Sequence, residues 1–248
     1  MRLSITKINT YLSCPCKYWY LYDVKVETPK SEGFFFGSAV HSGLEAYYTK
    51  KEPMEAVKYS LFGEKKSTRE EAKEGVDPYK LLTQARKIFD IYPKLAPNFK
   101  PLLVEHWFDV ELVHPETKEK LPAKFVGKID LITADWEIVD HKTASRSSGD
   151  FFKKSNEFQA TGYTYAFLKI FKKMPKSFIF NTIIKGNSKR VPAIEKNTLH
   201  PTMEDISNFF DTCKSVLNAI LEKEAENLIN TNHCKFCQLK DICSKKVF

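Results

Sequence analysis

Over residues 104–112 two kinds of residue take turns along the chain: Val104, His106, Phe108, Val110 and Leu112 on one parity, Glu105, Trp107, Asp109 and Glu111 on the other. Successive side chains of an extended strand point to opposite faces, so this period of two describes a half-buried strand rather than a helix. The turn-forming segment HPETKEK follows, with a return strand over Ala123 to Thr133. After the short Ala134-Asp135 connection comes a third strand, Trp136 to Thr143. Connections this short make the three strands antiparallel neighbours in a meander.

Around the meander the period is helical. Ser4 or Thr6 caps a helix carrying Ile8, Tyr11, Leu12 and Trp19; Phe36 to Lys50 and Met54 to Lys66 continue the pattern, and Pro78 opens a helix that ends before Pro93. Beyond the third strand the residues predict a helix from about Ser155 to Phe171, a strand from Ser177 to Ile184, another near Val191 to Ile194, and a helix from Met203 to about Leu228. The order predicts an α/β chain with a central mixed sheet flanked by helices. Residues 1–100 are its mainly helical part, 101–200 its core, and 201–248 a terminal helix with a cysteine cluster, in one domain over 1–248. With 248 residues, nine glycines and no repeat, the chain can bury such a core without long flexible linkers.

The formal charge is +8. From Lys142 to Arg190 Asp150 and Glu157 are the only acids against many lysines, so the excess is concentrated there. A basic face of that kind gathers polyanions by counterion release. No apolar run approaches the roughly 18 to 20 residues that span a bilayer, and MRLSITKINTYL lacks a signal peptide's continuous apolar core, so a soluble, cytoplasmic protein without membrane partners is expected. GEKKST from Gly63 lacks the second glycine of a phosphate-binding loop, so no helicase motor is expected within the chain.

Asp140 and Lys142 share one face of the third strand, and His141 takes the other. Asp130, near the end of the neighbouring strand in GKIDLI, can approach them. Two close carboxylates repel unless a cation joins them, and hard oxygen ligands suit magnesium or manganese. Such an ion polarises a phosphate oxygen and lowers the pKa of bound water, and Lys142 can orient or deprotonate that water.

These residues keep company. SITKINTYLSCP from Ser4, GSAVH from Gly37 to His41, GKID from Gly127 to Asp130, DHK from Asp140 to Lys142 and QATGY from Gln159 to Tyr163 occur in this order across nearly the whole chain. In that set the sequence resembles the RecB-like branch of PD-(D/E)xK nucleases. The resemblance implies a restriction-endonuclease-like core and a metal-dependent DNA exonuclease acting on single strands or DNA ends, in repair, recombination or CRISPR adaptation. It implies His41, Asp130, Asp140 and the backbone carbonyl of His141 as metal ligands, Lys142 as the group assisting water, and Gln159 and Tyr163 as residues that hold the lysine and the DNA backbone. Glu105 matches a frequent acidic position of the family and receives no role. Partners would be DNA and a helicase, recombination or CRISPR adaptation protein. The rival reading is a non-catalytic, metal-stabilised nucleic-acid-binding subunit, and an RNA substrate fits the same composition.

Six cysteines are too sparse for a disulfide scaffold. Cys234, Cys237 and Cys243 are spaced for ligation, and three thiolates need a fourth ligand. The resemblance supplies Cys14 and a 4Fe-4S cluster, as in AddB-type subunits and RecB-like nucleases of CRISPR adaptation, joining the N- and C-terminal segments. Cys16 can substitute for Cys14, and His233 can complete a zinc site instead. Cys213, among Phe209, Phe210, Val216 and Leu217, reads as a core residue, while Lys153, Lys154, Lys172, Lys173, Lys185, Lys189 and Arg190 form a strip able to track phosphates, with Phe151, Phe152 and Tyr165 near it for base stacking.

Overall fold

The computed structural model describes residues 1–63, 76–147, 149–186, 190–223, 230, 232, 234 and 237–243, with backbone only for 149–155. Its elements run β1 (Arg2–Leu3), α1 (Ile5–Ser13), α2 (Pro15–Tyr18), a π-helical turn (Trp19–Asp23), α3 (Glu32–Tyr48), α4 (Pro53–Phe62), α5 (Pro78–Phe89), α6 (Tyr92–Leu95), β2 (Pro101–Val113), β3 (Lys120–Thr133), β4 (Ile138–Ala144), α7 (Gly149–Phe171), β5 (Phe178–Ile184), β6 (Ala193–Leu199) and α8 (Met203–Leu221). This is an α/β fold with a mixed sheet and flanking helices. The chain divides into two compact units, one of Met1–Thr28, Phe108–Gly127 and Thr202–Phe248, the other of Pro29–Trp107 and Lys128–Pro201.

In the larger unit β3 pairs antiparallel with β4 through Leu131↔Val139 and Ile132↔Ile138. β4 runs parallel to β5, with Asp140 beside Phe180 and Lys142 beside Thr182, and β5 runs antiparallel to β6. The strand expected near Val191 begins at Ala193 and continues to Leu199. One face of this sheet packs Leu131, Val139, Ile179 and Ile183 against α3, α4 and α5, burying Phe36, Val40, Leu44, Val57, Leu81, Ile88 and Tyr92. α3 starts where Ser31 accepts the Phe34 N–H, and α5 where Asp77 accepts that of Tyr79, each satisfying an otherwise unpaired helix donor. Gly43 lets α3 approach its neighbours: a Cβ there would lie 2.3 Å from the Phe89 ring and 2.9 Å from Val57 Cγ2.

In the smaller unit β1 lies parallel to β3 through Arg2↔Lys124 and Leu3↔Phe125. α1 starts at Ser4, which accepts the Lys7 N–H, and it ends at Ser13 instead of running on to Trp19. The reason is local: Cys14 precedes Pro15, whose ring drives the preceding residue to an extended conformation, and a fresh helix begins at the proline. α1 packs against α8, whose buried stripe holds Ile206, Phe209, Phe210, Cys213, Val216 and Leu217. α8 opens with a capping box between Thr202 and Asp205. α8 ends at Leu221, short of the expected Leu228, at a Glu222 cap followed by Lys223 with a left-handed φ of 59°; the end of the Met54–Lys66 pattern, and Lys153, Lys154, Lys189, Phe151, Phe152 and His233 lie outside the described residues or side chains.

Candidate active site

The chemistry gathers in the larger unit, where the β3–β4 ladder ends just short of Asp130 and Asp140. Both carboxylates are buried, at 8% and 3% exposure. Asp130 Oδ2 accepts the backbone N–H of His141 at 2.8 Å and lies 3.5 Å from His41 Nδ1 on α3. Burial first, and the neighbouring Asp140 charge second, raise the Asp130 pKa from 3.8 to about 6. A buried carboxyl poised in that range is one that a cation would ionise.

The third member of this group is one to which the sequence assigned no role. Glu105 brings a carboxylate oxygen to within 4.8 Å of the ligand atoms of His41 and Asp130, a set able to hold a metal ion. The alternation put Glu105 on the outward parity of β2 with Trp107, Asp109 and Glu111. Its side chain is nevertheless only 13% exposed, against 53% for Glu111. Its φ of 53°, left-handed and costing on the order of 1 kcal/mol for a non-glycine residue, breaks the extended progression there. Such a break re-aims a side chain, as bulges near sites do. Lys128 is its counter-ion here.

Asp140 belongs to a second cluster. Lys142 Nζ lies 2.8 Å from Asp140 Oδ2, and Gln159 on α7 donates through Nε2 to Asp140 Oδ1 at 2.7 Å while its Oε1 accepts from Lys142 Nζ at 2.9 Å. The amide thus reads both members of the D-x-K triplet at once and fixes the lysine over the carboxylate. Tyr163, one turn further along α7, hydrogen-bonds Gln159, and its hydroxyl is pushed well above the ordinary tyrosine range by burial and by the charges of Asp140 and Asp130. Its hydroxyl therefore keeps its proton over the physiological range. All residues assigned to catalysis from the sequence therefore meet in one unit, with His41, Glu105 and Asp130 forming a group that could hold an ion, and with Asp140 engaged by Lys142 and Gln159.

His141 turns its side chain to the opposite face, as the two-residue period requires. The ring is 2% exposed and stacks on Tyr48 with centroids 5.5 Å apart and planes 10° from parallel. Asn181 Nδ2 lies 3.0 Å from His141 Nδ1 and 3.2 Å from Tyr92 Oη, which in turn meets Tyr48 Oη at 2.9 Å. Burial lowers the His141 pKa to about 3, so the imidazole is neutral and accepts from Asn181. This polar thread anchors the residue whose backbone N–H holds Asp130.

The PD-(D/E)XK nuclease superfamily model matches residues 2–244. The chain belongs to the PD-(D/E)XK nuclease superfamily. No curated protein matches this nuclease. Among solved structures, a "Putative exonuclease" from Eubacterium rectale aligns with a TM-score of 0.67 at 14% identity, over 100% of this chain and 89% of that one, a likeness of fold. SSO0001 aligns with a TM-score of 0.40 at 16% identity, over 98% and 94% of the two chains, too low to carry an argument. Among the described residues of the nuclease no helix is long and apolar enough to cross a membrane.

The cysteines lie in the smaller unit. Cys16 is buried at 2% exposure, and its sulfur is 3.9 Å from that of Cys243. Tyr20 Oη donates to the Ile242 carbonyl nearby. Cys234 Sγ is 3.8 Å from the Asn230 carbonyl, while Cys14 caps α1 through its backbone. Cys213 is fully buried in α8 and its thiol pKa is raised by that burial, as a core residue requires. Of the basic strip, Lys173 lies over the Trp136 ring and Lys185 over that of Phe36, and Tyr165, at 1% exposure, is core.

Proposed function

We propose that the chain is a RecB-like, divalent-metal-dependent deoxyribonuclease that removes nucleotides from single-stranded DNA or DNA ends. The observation that carries this reading is the pair of adjoining clusters, His41–Glu105–Asp130 and Asp140–Lys142–Gln159, in a chain of this superfamily. Its donors are hard oxygens with one imidazole, the set that suits magnesium or manganese, and the Asp130 pKa stays raised because burial and Asp140 outweigh His41 and Lys142. Such an ion supplies Lewis acidity toward a phosphate oxygen and a more acidic bound water. His41, Glu105, Asp130 and Asp140 would hold it, with the His141 carbonyl as a further ligand. Lys142, steered by Gln159, is placed to orient the attacking water, and Tyr163 to donate toward a phosphate. The concentrated positive charge of residues 142–190 favours nucleic acid, and the pathway is one of repair, recombination or CRISPR adaptation, with a helicase or adaptation protein as partner.

The reading extends to the cysteines: Cys234, Cys237 and Cys243 with one early cysteine hold a 4Fe-4S cluster. The burial of Cys16 and its sulfur's 3.9 Å approach to that of Cys243 favour Cys16 over Cys14 as the early cysteine of the site; cubane ligands sit on separate irons and stand farther apart, so loading a cluster would spread this pair.

Labelled single-stranded DNA incubated with the purified chain and magnesium or manganese tests the activity. Degradation by the wild type and its loss by at least a thousandfold in Asp140→Ala is the expected result, since a group acting on the transition state is worth about 4 kcal/mol or more. DNA binding without cutting under any divalent ion would make the chain a binding subunit instead.

A further inference from the structure

Trp107 is 72% exposed in the middle of β2, where the strand has just delivered Glu105 to the metal-ligand set. A singly exposed apolar side chain means little in itself. This one has a specific neighbour: Lys128 forms an ion pair with Glu105, and its ammonium lies 5.6 Å from the centroid of the Trp107 ring. One lysine head thus touches both the carboxylate of the candidate metal site and an open indole. The other tryptophan of the larger unit is differently placed, since Trp136 packs against Phe167 and Phe171 and lies under Lys173.

We infer that Trp107 and Lys128 form a subsite for one unpaired nucleotide next to the metal-ligand residues, the indole stacking on its base and the ammonium meeting its phosphate. The inference rests on the nuclease reading and deepens it by naming the substrate as single-stranded at this point. A base in a duplex has both π-faces occupied by its neighbours, whereas an unpaired base has one to offer, and aromatic stacking tolerates any sequence. A protein partner would also cover a tryptophan, but the surroundings argue for a polyanion: Lys128 stands beside the ring, and once Glu105 is neutralised by a shared cation its ammonium is left for a backbone phosphate. The Glu105 geometry adds a constraint, because the left-handed backbone that turns this carboxylate inward leaves Trp107 outward two residues on.

The test measures binding apart from turnover. In an Asp140→Asn background with magnesium, single-stranded oligonucleotides carry 2-aminopurine at successive positions from either end. The expected result is quenching of the fluorophore at one position near one end. Trp107→Ala, at an exposed site that should not disturb folding, then removes the quenching and weakens binding roughly tenfold. Trp107→Phe restores most of both, and an abasic residue at that position makes the tryptophan and alanine proteins bind alike. Unchanged quenching and affinity in Trp107→Ala overturns the subsite. If the chain with Asp140 intact still cuts DNA, the nuclease reading survives that failure; if it neither binds nor cuts, both fall.

Discussion

At the scale of single residues, the site depends on who neutralises whom. Asp130 has its pKa raised from 3.8 to about 6 by burial and by Asp140, and a metal ion binds the carboxylate form. The folded, metal-free protein therefore holds this proton more tightly than the unfolded chain. That contribution to stability is present below the unfolded value near 3.8 and is lost as pH rises through about 6. A metal ion reverses the preference, because it replaces the proton. Manganese should accordingly raise the melting temperature near neutral pH and progressively less as pH falls below about 6. Thermal unfolding with and without manganese across this range measures it, and a metal-induced shift that persists undiminished at the acid end would contradict the assignment. Asp130, Asp140 and Lys142 were legible from spacing because a strand's period fixes which residues share a face. Glu105 was not: its place beside His41 and Asp130 comes with a left-handed φ, which alternation cannot register, so the pattern placed it toward solvent.

Among the elements, those with a strong period or a capping residue were the legible ones. Ser4 caps α1, Pro78 opens α5 and α8 starts at Met203, and the antiparallel β3–β4 pair follows from its short connection. The first helix was misread past Cys14 because apolar spacing continues through Trp19, whereas the Cys14-Pro15 step stops it by sterics. The length of β6 was underestimated since its residues, AIEKNTL, are mostly half-exposed and carry little hydrophobic contrast. Packing between helices was not readable at all. Gly43 looks like a poor choice inside α3, where alanine would be preferred by about 1 kcal/mol on propensity. Its missing Cβ is what admits the Phe89 ring and Val57, at 2.3 and 2.9 Å from where that atom would sit. Overpacking of this kind costs roughly 1–3 kcal/mol beyond any propensity gain. Gly43→Ala should thus lower the melting temperature by a few degrees while leaving the metal-induced shift intact. A rise in melting temperature would show that α3 and α5 accommodate the methyl group.

For the whole molecule, the informative fact is that the compact unit holding residues 1–28 also holds residues 202–248. Two cysteine motifs at opposite ends of the sequence thereby share one unit, and Cys16 and Cys243, 227 residues apart, bring their sulfurs to 3.9 Å. A disulfide has sulfurs about 2 Å apart, so this is a pair poised beside one another, not a bond. Ligation of a cluster by that pair with Cys234 and Cys237 would tie α2 to the C-terminal segment and stabilise the folded state, because the unfolded chain has no such site. Anaerobically purified protein should then be brown, with broad visible absorption and iron and sulfide in equal amounts. Cys16→Ser should bleach it and lower the melting temperature, whereas Cys14→Ser, changing a residue that serves α1 through its backbone, should leave the colour in place. Bleaching by Cys14→Ser alone would restore Cys14 as the ligand. Colourless protein containing one zinc per chain would replace the cluster by a mononuclear site, whose tetrahedral thiolates, at a zinc–sulfur distance of about 2.3 Å, stand nearly 4 Å apart, closer than cubane thiolates on separate irons.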